Sequence, residues 1–396
     1  MVRRGAAIGI TMALAILGTT LPVQAQDTEE RPRQHSDRDA LPGWQYASGG
    51  LQYRSADGRW LQRFTLRNQI RLTSTSSADE ERATIFDLNR SRLKFTGHLG
   101  SPRLENDVEI DLKNSRMYHF FATLHLRDAV EVRAGQWKVE FNRERVDSSG
   151  AQQLVDRSIV NADFTLDGQI GAMVRGRLFK GHAADANYFV GLLAGEGRLA
   201  WNDDDVPMVL GRYQWNLARR SVGFSQSDVE YHPQTAAAIG IAAARGRGRY
   251  TAYSSDGGTQ LDGFDPGLPG QYELRQWMTD IALFRRGLSL QGEHHWKRVI
   301  DHVNGGGRRL RGGYLQSGFF PVQDWSRRLS ALELAGRIAY VDPDLADREP
   351  NRREYTGGVN WYFNQHRNKI SFDVSRLTGG GSSPQTRLRL QWDLSL

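Results

Sequence analysis

Residues 386–396, TRLRLQWDLSL, carry the clearest structural pattern in this chain. From 388 onward leucine or tryptophan stands at every second position, and arginine, glutamine, aspartate or serine stands between them. Successive side chains of a β-strand point to opposite faces, so this alternation predicts a strand with one apolar and one polar face. An ordinary strand has about 5–6 residues, whereas a tilted membrane-spanning strand needs about 9–11. We therefore expect these residues to form the closing strand of an outer-membrane barrel.

The N-terminal sequence predicts export. Arg3 and Arg4 precede an apolar run from about 6 to 21, and Val-Gln-Ala follows at 23–25. This order is typical of a cleaved secretory signal peptide, which we place at residues 1–25. The alternative, an N-terminal membrane anchor, is disfavoured because the run is interrupted by threonines and is shorter than the roughly 20 residues of a spanning helix.

Composition narrows the class of protein. The mean hydropathy is −0.57, and no later segment is an apolar run of spanning length, which excludes a helical membrane protein. A barrel or a soluble exported β protein remains, because barrels look polar on average. The chain has no cysteine, so it has no disulfide framework and no thiolate chemistry. Its basic residues alternate with apolar ones instead of clustering, so we expect no nucleic-acid partner despite a pI of 9.6.

The chain divides into a signal peptide, a flexible N-terminal leader at 26–60 and a transmembrane antiparallel β-barrel at 61–396. The start of the leader is charged, contains proline and has few aliphatic residues. Residues 249–255 could form one more strand, so eighteen strands remain an alternative to sixteen. The segments of about sixteen predicted strands lie near 61–74, 86–98, 104–113, 117–126, 130–140, 167–179, 186–196, 207–217, 235–245, 273–285, 288–299, 311–320, 328–341, 354–363, 367–377 and 385–396.

Connection lengths orient this barrel, because bacterial barrels have short periplasmic turns and longer external loops. With a periplasmic C-terminus, nearly all long connections fall on the external side. Two connections are exceptions, since 218–234 is long for a periplasmic turn and 114–116 is short for an external loop. Aromatic residues at segment ends are candidates for the membrane-interface girdles. They are Trp60, Tyr340, Trp361, Phe363 and Trp392.

Charged residues alternate with apolar ones on the predicted lumen face. Near 86–98 the basic column consists of Arg90, Arg92, Lys94 and His98, and near 61–74 it consists of Arg63, Arg67 and Arg71. The next segment supplies an acidic column of Glu105, Asp107, Glu109 and Asp111. Such columns have a structural explanation, because opposite charges on adjacent strands contribute about 0.2–1 kcal/mol and fix the register.

The functional explanation is an anion path, since rows of basic side chains line anion pores. The guanidinium fork also binds two phosphate oxygens at once. Folding or lipopolysaccharide contacts are further roles for such arginines. An excess of basic residues favours the anion path, because more arginines follow at lumen positions. These are Arg175, Arg177, Arg212, Arg337, Arg387 and Arg389.

The long loop 141–166 carries the basic residues Arg143, Arg145 and Arg157 and the acidic residues Asp147 and Asp156. A connection of this length in a compact fold usually has a function. If it folds inward, it narrows the lumen and sets selectivity; if it packs over the external mouth, it does neither. The sequence leaves both arrangements open.

Four stretches resemble the phosphate-selective porin O and P family: NRSRLKFTGHL at 89–99, VEIDL at 108–112, AGQWKVEFNRE at 134–144 and LVDRSIV at 154–160. The resemblance runs from about residue 61 to the C-terminus. It implies a sixteen-stranded trimeric porin that conducts anions along lumen arginines and lysines. The chain has Val139-Glu140 where the family commonly has proline, and it ends in leucine where phenylalanine is usual.

By motif match, the family's inward acidic residue corresponds to Asp111 and its central lysine to Lys138. The pair Arg90 and Arg92 stands where the family has its basic strand. Alternation from Val130 would point Lys138 outward, unless a bulge or the turn into the loop shifts the register.

We therefore predict an outer-membrane porin of a Gram-negative-type envelope that conducts small inorganic anions, with phosphate and polyphosphate as candidates. It is expected to be a homotrimer in contact with outer-membrane lipids, with no cofactor, no metal and no catalytic residues. The alternative is an exported soluble or barrel-type β protein with a binding or hydrolase role. No G-x-S-x-G, H-E-x-x-H or P-loop motif is present. Adjacent His294 and His295 fall on opposite faces of a strand and cannot form one site.

Overall fold

The computed structural model describes residues 42–47, 50–79, 81–321, 331–346 and 351–396. The predicted signal peptide and the predicted leader up to residue 41 lie outside the described residues. Within the described part of the chain, no helix is both long enough and apolar enough to cross a membrane.

Strands form nearly all of the regular structure. They are β1 (Gly43–Ala47), β2 (Gly50–Arg54), β3 (Leu61–Ser76), β4 (Ala83–His98), β5 (Leu104–Asp111), β6 (Arg116–Arg127), β7 (Val130–Lys138), β8 (Gly168–Leu178), β9 (Ala186–Leu193), β10 (Met208–Asn216), β11 (Ala236–Gly248), β12 (Ala252–Ser254), β13 (Gly257–Thr259), β14 (Tyr272–Arg285), β15 (Leu288–Asp301), β16 (Gly307–Phe319), β17 (Leu332–Asp342), β18 (Arg352–Asn364), β19 (Asn368–Gly379) and β20 (Ser382–Ser395). Two single helical turns, α1 (Arg143–Val146) and α2 (Val160–Phe164), lie between β7 and β8.

Sixteen of the described strands form a closed antiparallel barrel. The strands β3 to β11 and β14 to β20 each pair with their chain neighbours, and β20 pairs with β3 to close the ring. The predicted all-β barrel of sixteen strands is therefore confirmed. The alternative of eighteen barrel strands is wrong, because the strand within 249–255, β12, pairs only with β13 in a separate small sheet.

A hairpin of β1 and β2 extends the barrel seam. β3 pairs with β20 along residues 67–76 and with β2 along residues 61–64, so the hairpin continues the edge where β20 ends. Trp44 packs on Tyr53 and Phe64, with ring centroids 5.3 and 5.6 Å apart. The segment predicted to be a flexible leader thus contains sheet structure at 43–47 and 50–54.

The two faces of the wall differ as the alternation predicts. In β20 the apolar Leu388, Leu390 and Trp392 are exposed, whereas the polar side chains between them are buried. β19 shows the same division. An apolar outer face is what lipid requires of a barrel.

The largest hydrophobic core lies inside the barrel, between the connection 139–167 and the wall. Phe141, Phe164 and Leu166 of this connection are completely buried. The facing side of β11 has only small residues, which leave space for the connection. They are Ala236, Ala238, Gly240, Ala242, Ala244, Gly246 and Gly248.

The division of faces in β20 predicts that Leu390→Arg hinders membrane insertion. A lipid-facing arginine near the midplane costs about 2–4 kcal/mol. Arg387→Leu on the lumen side of the same strand is the matched control, since the Arg387 side chain donates to Gln385 alone among the residues that the structure describes. Outer-membrane yield and heat-modifiable electrophoretic mobility measure insertion. Equal yield and mobility for the two variants would show that the faces are assigned wrongly.

Candidate functional site

The connection between β7 and β8, residues 139–167, folds into the barrel. Phe141, Arg143, Glu144 and Phe164 have no exposed surface, and most of the remaining residues are buried. Of the two arrangements that the sequence left open, the structure shows the inward one. We call residues 139–167 the inner loop.

Carboxylates of the lumen wall fasten the backbone of the inner loop. Each accepts a hydrogen bond from a loop N–H group, which satisfies a donor that is otherwise buried. The three bonds are Glu144 N to Glu293 (2.7 Å), Val155 N to Asp373 (2.9 Å) and Ile159 N to Glu354 (2.9 Å). The inner loop is therefore held against the wall formed by β15, β18 and β19.

Asp156 ties the inner loop to the barrel seam. It lies 2.9 Å from both Arg71 on β3 and Arg389 on β20. Burial would raise the pKa of Asp156, but Arg71 and Arg389 outweigh burial and lower it to about 2. The carboxylate stays ionised, so Arg71, which the sequence placed in the anion path, is neutralised by the loop.

The unexpectedly long connection at the short-turn end, residues 217–235, also enters the lumen. Gln226 accepts a hydrogen bond from the backbone N of Gln153 at 3.0 Å, and Ser227 donates to Glu333 at 2.7 Å. The backbone carbonyl of Gly223 accepts a bond from Arg143. This connection therefore meets the inner loop from the opposite end of the barrel and fills the same side of the lumen.

An open cavity of about 170 Å³ remains on the other side, between the inner loop and the wall of β4 to β7. The wall contributes Arg92, Lys94, Asp107, Glu109, His119, Phe121, Arg133, Trp137 and Lys138, and the inner loop contributes Glu140, Val146, Ser148 and Ser149. We call this space the constriction cavity. It is polar on both sides, as a path for small solutes through a barrel must be.

Much of the charge around the constriction cavity is paired. The basic and acidic columns face each other on neighbouring strands, and the structural explanation of cross-strand pairing applies to them. The pairs are Arg92 with Glu109 (2.7 Å), Lys94 with Asp107 (2.8 Å) and Arg133 with Glu140 (3.0 Å).

Four further cations meet the inner loop without a carboxylate within 4 Å among the described residues: Arg67, Arg90, Lys138 and Arg157. We call them the unpaired cations. Arg67 donates to the hydroxyls of Ser148 (2.7 Å) and Ser149 (2.9 Å). Arg90 donates to Gln69, which itself binds the Ser149 carbonyl (both 2.8 Å). All four retain partial exposure.

Two of the unpaired cations hold the inner loop by its backbone. The Lys138 ammonium donates to the carbonyls of Val146 (3.0 Å) and Asp147 (2.8 Å), so Lys138 lies on the lumen side. Strict alternation from Val130 predicts the outward direction instead; it fails here because the adjacent residues Gln136 and Trp137 are both buried before the loop begins. Arg157 donates to the carbonyls of Glu144 (3.0 Å) and Asp147 (2.8 Å). Burial, followed by nearby Arg145, lowers the pKa of Arg157 to about 9, which leaves it cationic at neutral pH.

The structure places the other predicted site residues away from the constriction cavity. Asp111 caps the turn after β5 by accepting from the backbone N of Lys113 and Asn114. Arg63 donates to Gln52 of the β1–β2 hairpin at 3.1 Å. Arg143 donates to Gln214 on the filled side of the lumen, and Arg145 pairs with Asp167.

Sequence reasoning missed the environment of Tyr118. The guanidinium groups of Arg92 and Arg198 lie on its ring, 3.7 and 3.8 Å from the centroid. The register of β5 and β6 shifts beside this residue, so Tyr118 and His119 are both buried. Such a bulge has no signal in the alternation. Arg133, by contrast, alternates with Val132, so the same pattern that identified the other lumen arginines also predicts Arg133.

A closed sixteen-stranded barrel with an apolar outer face and an inward loop that narrows a polar lumen defines an outer-membrane porin. The sequence profile of the family described as phosphate-selective porin O and P matches residues 64–388, and the chain belongs to this family. Family and fold indicate a channel rather than an enzyme, and they place the chain in the outer membrane. No significant match was found among curated proteins.

Solved structures of outer-membrane proteins share the fold. A loop L8 deletion mutant of OmpT from Vibrio cholerae is 10% identical, with a TM-score of 0.56 over 85% of this chain and 99% of that one. The trimer form of OmpT is 9% identical, with a TM-score of 0.52 over 84% and 99%. OprB of Pseudomonas putida is 10% identical, with a TM-score of 0.54 over 85% and 94%. At these identities the similarity establishes architecture alone.

Asp147 adds a titratable group beside the unpaired cations. Burial raises the pKa of its carboxyl to about 6, although Lys138 and Arg157 act in the opposite direction. Below that pH the carboxyl is neutral. Above it, the new negative charge offsets part of the positive potential of the two neighbouring cations.

We therefore predict that anion-over-cation permeability decreases as pH rises through about 6. Asp147→Asn should abolish this step and hold the channel at its acid-side permeability ratio. Asp87→Asn, which removes an exposed carboxylate paired with Lys113, should retain the step. Reversal potentials in planar bilayers across this pH range measure the ratio. An unchanged pH profile in Asp147→Asn would contradict the assignment.

Proposed function

We propose that this porin conducts small inorganic anions by passive diffusion through the constriction cavity. The observation that carries the proposal is the imbalance of charge. Acidic residues that line the cavity, two on the wall and one on the inner loop, pair with Arg92, Lys94 and Arg133, whereas the unpaired cations have no such partner among the described residues. A row of uncompensated cations in a narrow lumen lowers the barrier for anions.

Inorganic phosphate, free or as polyphosphate, is the anion that best fits the chemistry of the unpaired cations. Three of the four are arginines, and the guanidinium fork binds two phosphate oxygens with parallel hydrogen bonds. Lys138 supplies a compact charge that complements this geometry. The name of the family agrees with this choice. The path has no need of a cofactor or a covalent step.

The proposal includes assembly and export. The trimer form of OmpT supports a homotrimer for this chain, and residues 1–25 are proposed to direct export and then be removed. The short-turn end of the barrel would face the periplasm, because bacterial barrels have short turns there. Lipid would surround the apolar outer face.

We predict that the double variant Arg67→Gln with Arg90→Gln loses anion selectivity. Charge in a narrow, poorly solvated lumen acts more strongly than in bulk water, so the reversal potential in a salt gradient should shift towards that of a non-selective pore. Phosphate should also inhibit chloride current less in this variant. The effect should be largest at low ionic strength, where screening is weakest.

The matched control is Lys94→Gln with Asp107→Asn, which removes one ion pair and leaves the net charge of the cavity unchanged. This control should keep most of the anion selectivity. If the control and the double variant shift the reversal potential equally, the unpaired cations do not set selectivity. If neither shifts it, the path lies elsewhere in the lumen.

A further inference from the structure

Four arginines form a row across the outer surface of the barrel. The register places Arg245, Arg275, Arg298 and Arg309 directly opposite one another on the adjacent strands β11, β14, β15 and β16. All four are exposed. They lie on the outer face, because the neighbouring residues Ala244, Leu274, Val299 and Leu310 are buried inside. We call these four residues the arginine row.

The charge of the arginine row is only partly compensated. Glu273 accepts hydrogen bonds from the Nε atoms of Arg245 and Arg275, each at 2.7 Å, and also contacts His302 at 2.9 Å. The side chains of Arg298 and Arg309 have no hydrogen-bond or ion-pair partner among the described residues. Like charges directly opposite each other destabilise a sheet, so this arrangement is costly unless an anion covers it.

The row lies immediately above an aromatic pair. Trp277 and Trp296 are opposite each other two residues further towards the middle of their strands, and their rings stack with centroids 3.5 Å apart. His294 packs on Trp296 at 4.0 Å. Tryptophans of a membrane protein gather at the level of the lipid headgroups. Two strand residues span about 6.4–6.8 Å, which puts the guanidinium groups at the outer part of the headgroup layer.

The wall below the aromatic pair is apolar. Ile241 on β11 and Ile281 on β14 face outward, with 53% and 42% of their surface exposed. A ligand that occupies both the arginine row and this wall must be amphiphilic, with an anionic head and hydrocarbon chains. The row is near the long-loop end of the barrel, which is the external end.

We propose that the arginine row binds the phosphate groups of lipid A, the bisphosphorylated glycolipid of the outer leaflet. The guanidinium forks of Arg298 and Arg309 would take the phosphate oxygens in pairs. Arg245 and Arg275, held in place by Glu273, would extend the positive surface. The acyl chains would lie along the apolar wall below Trp277. This site is separate from the lumen and independent of anion conduction.

Native mass spectrometry of the detergent-solubilised protein with bisphosphorylated lipid A tests the proposal. The wild-type protein should retain lipid A. The double variant Arg298→Gln with Arg309→Gln should retain about tenfold less, since each arginine near an anionic lipid surface adds to the affinity for that lipid. Arg285→Gln is the matched control, because Arg285 is an exposed residue on the outer face of β14 at its opposite end. It should retain lipid A as the wild type does.

The wild-type protein should retain dephosphorylated lipid A poorly. The amount retained should be no greater than the amount of bisphosphorylated lipid A that the double variant retains. Single-channel conductance should be equal in all three proteins, because the lumen is untouched. Equal lipid A retention by the wild type and the double variant would overturn the proposal. The proposal would also be overturned if the wild-type protein retained dephosphorylated lipid A as well as it retains bisphosphorylated lipid A. If the double variant retains lipid A as the wild type does but differs from it in oligomeric mass, the proposal is overturned and the arginine row is a contact between subunits.

Discussion

The backbone of the inner loop must find hydrogen-bond partners inside a barrel, and the organisation of the lumen depends on how the wall supplies them. Glu293, Asp373 and Glu354 accept N–H groups of the loop. Each carboxylate is buried, and burial of a charge is costly unless it is paired. Arg389 pairs with Asp373 at 2.7 Å, and Arg337 donates to Glu354 at 2.9 Å. Wall arginines on this side therefore stabilise loop anchors instead of offering charge to solutes.

This fastening makes the lumen asymmetric. The inner loop and the connection 217–235 fill the side of β10 and β14 to β19, where hydrophobic residues also pack. The constriction cavity, through which we propose that solutes pass, lies on the side of β4 to β7. There the backbone carbonyls and hydroxyls of the loop, not its carboxylates, face Arg67, Lys138 and Arg157. One loop thus both narrows the path and determines which cations remain unpaired.

The period of two was enough to predict the barrel and the charged columns, because each depends only on which face a residue occupies. It predicted about sixteen strands but left eighteen open, since it does not show that the strand within 249–255 lies outside the barrel. The pairing of those charges was not predictable in the same way. Arg71 and Arg389 meet Asp156 across the lumen, and their contact depends on the path of a loop that has no periodicity. The bulge beside Tyr118 shifts the register without a sequence signal. The paired strands at 43–47 and 50–54 do have a sequence signal, because Trp44 alternates with Tyr46 and Leu51 with Tyr53. The charged segment before them nevertheless led to the prediction of a flexible leader.

Labelling of single cysteines tests the central claim of this account, that solutes pass between the inner loop and β4 to β7. The chain has no native cysteine, so Ser148→Cys in the constriction cavity and Ser289→Cys on the filled side can be compared directly. We predict that a negatively charged methanethiosulfonate reagent rapidly modifies Ser148→Cys and reduces the channel current, faster than its positively charged counterpart does. Ser289→Cys, which replaces a residue only 1% exposed, should react slowly and leave the current unchanged. Faster modification of Ser289→Cys, or a preference of Ser148→Cys for the positive reagent, would contradict the account.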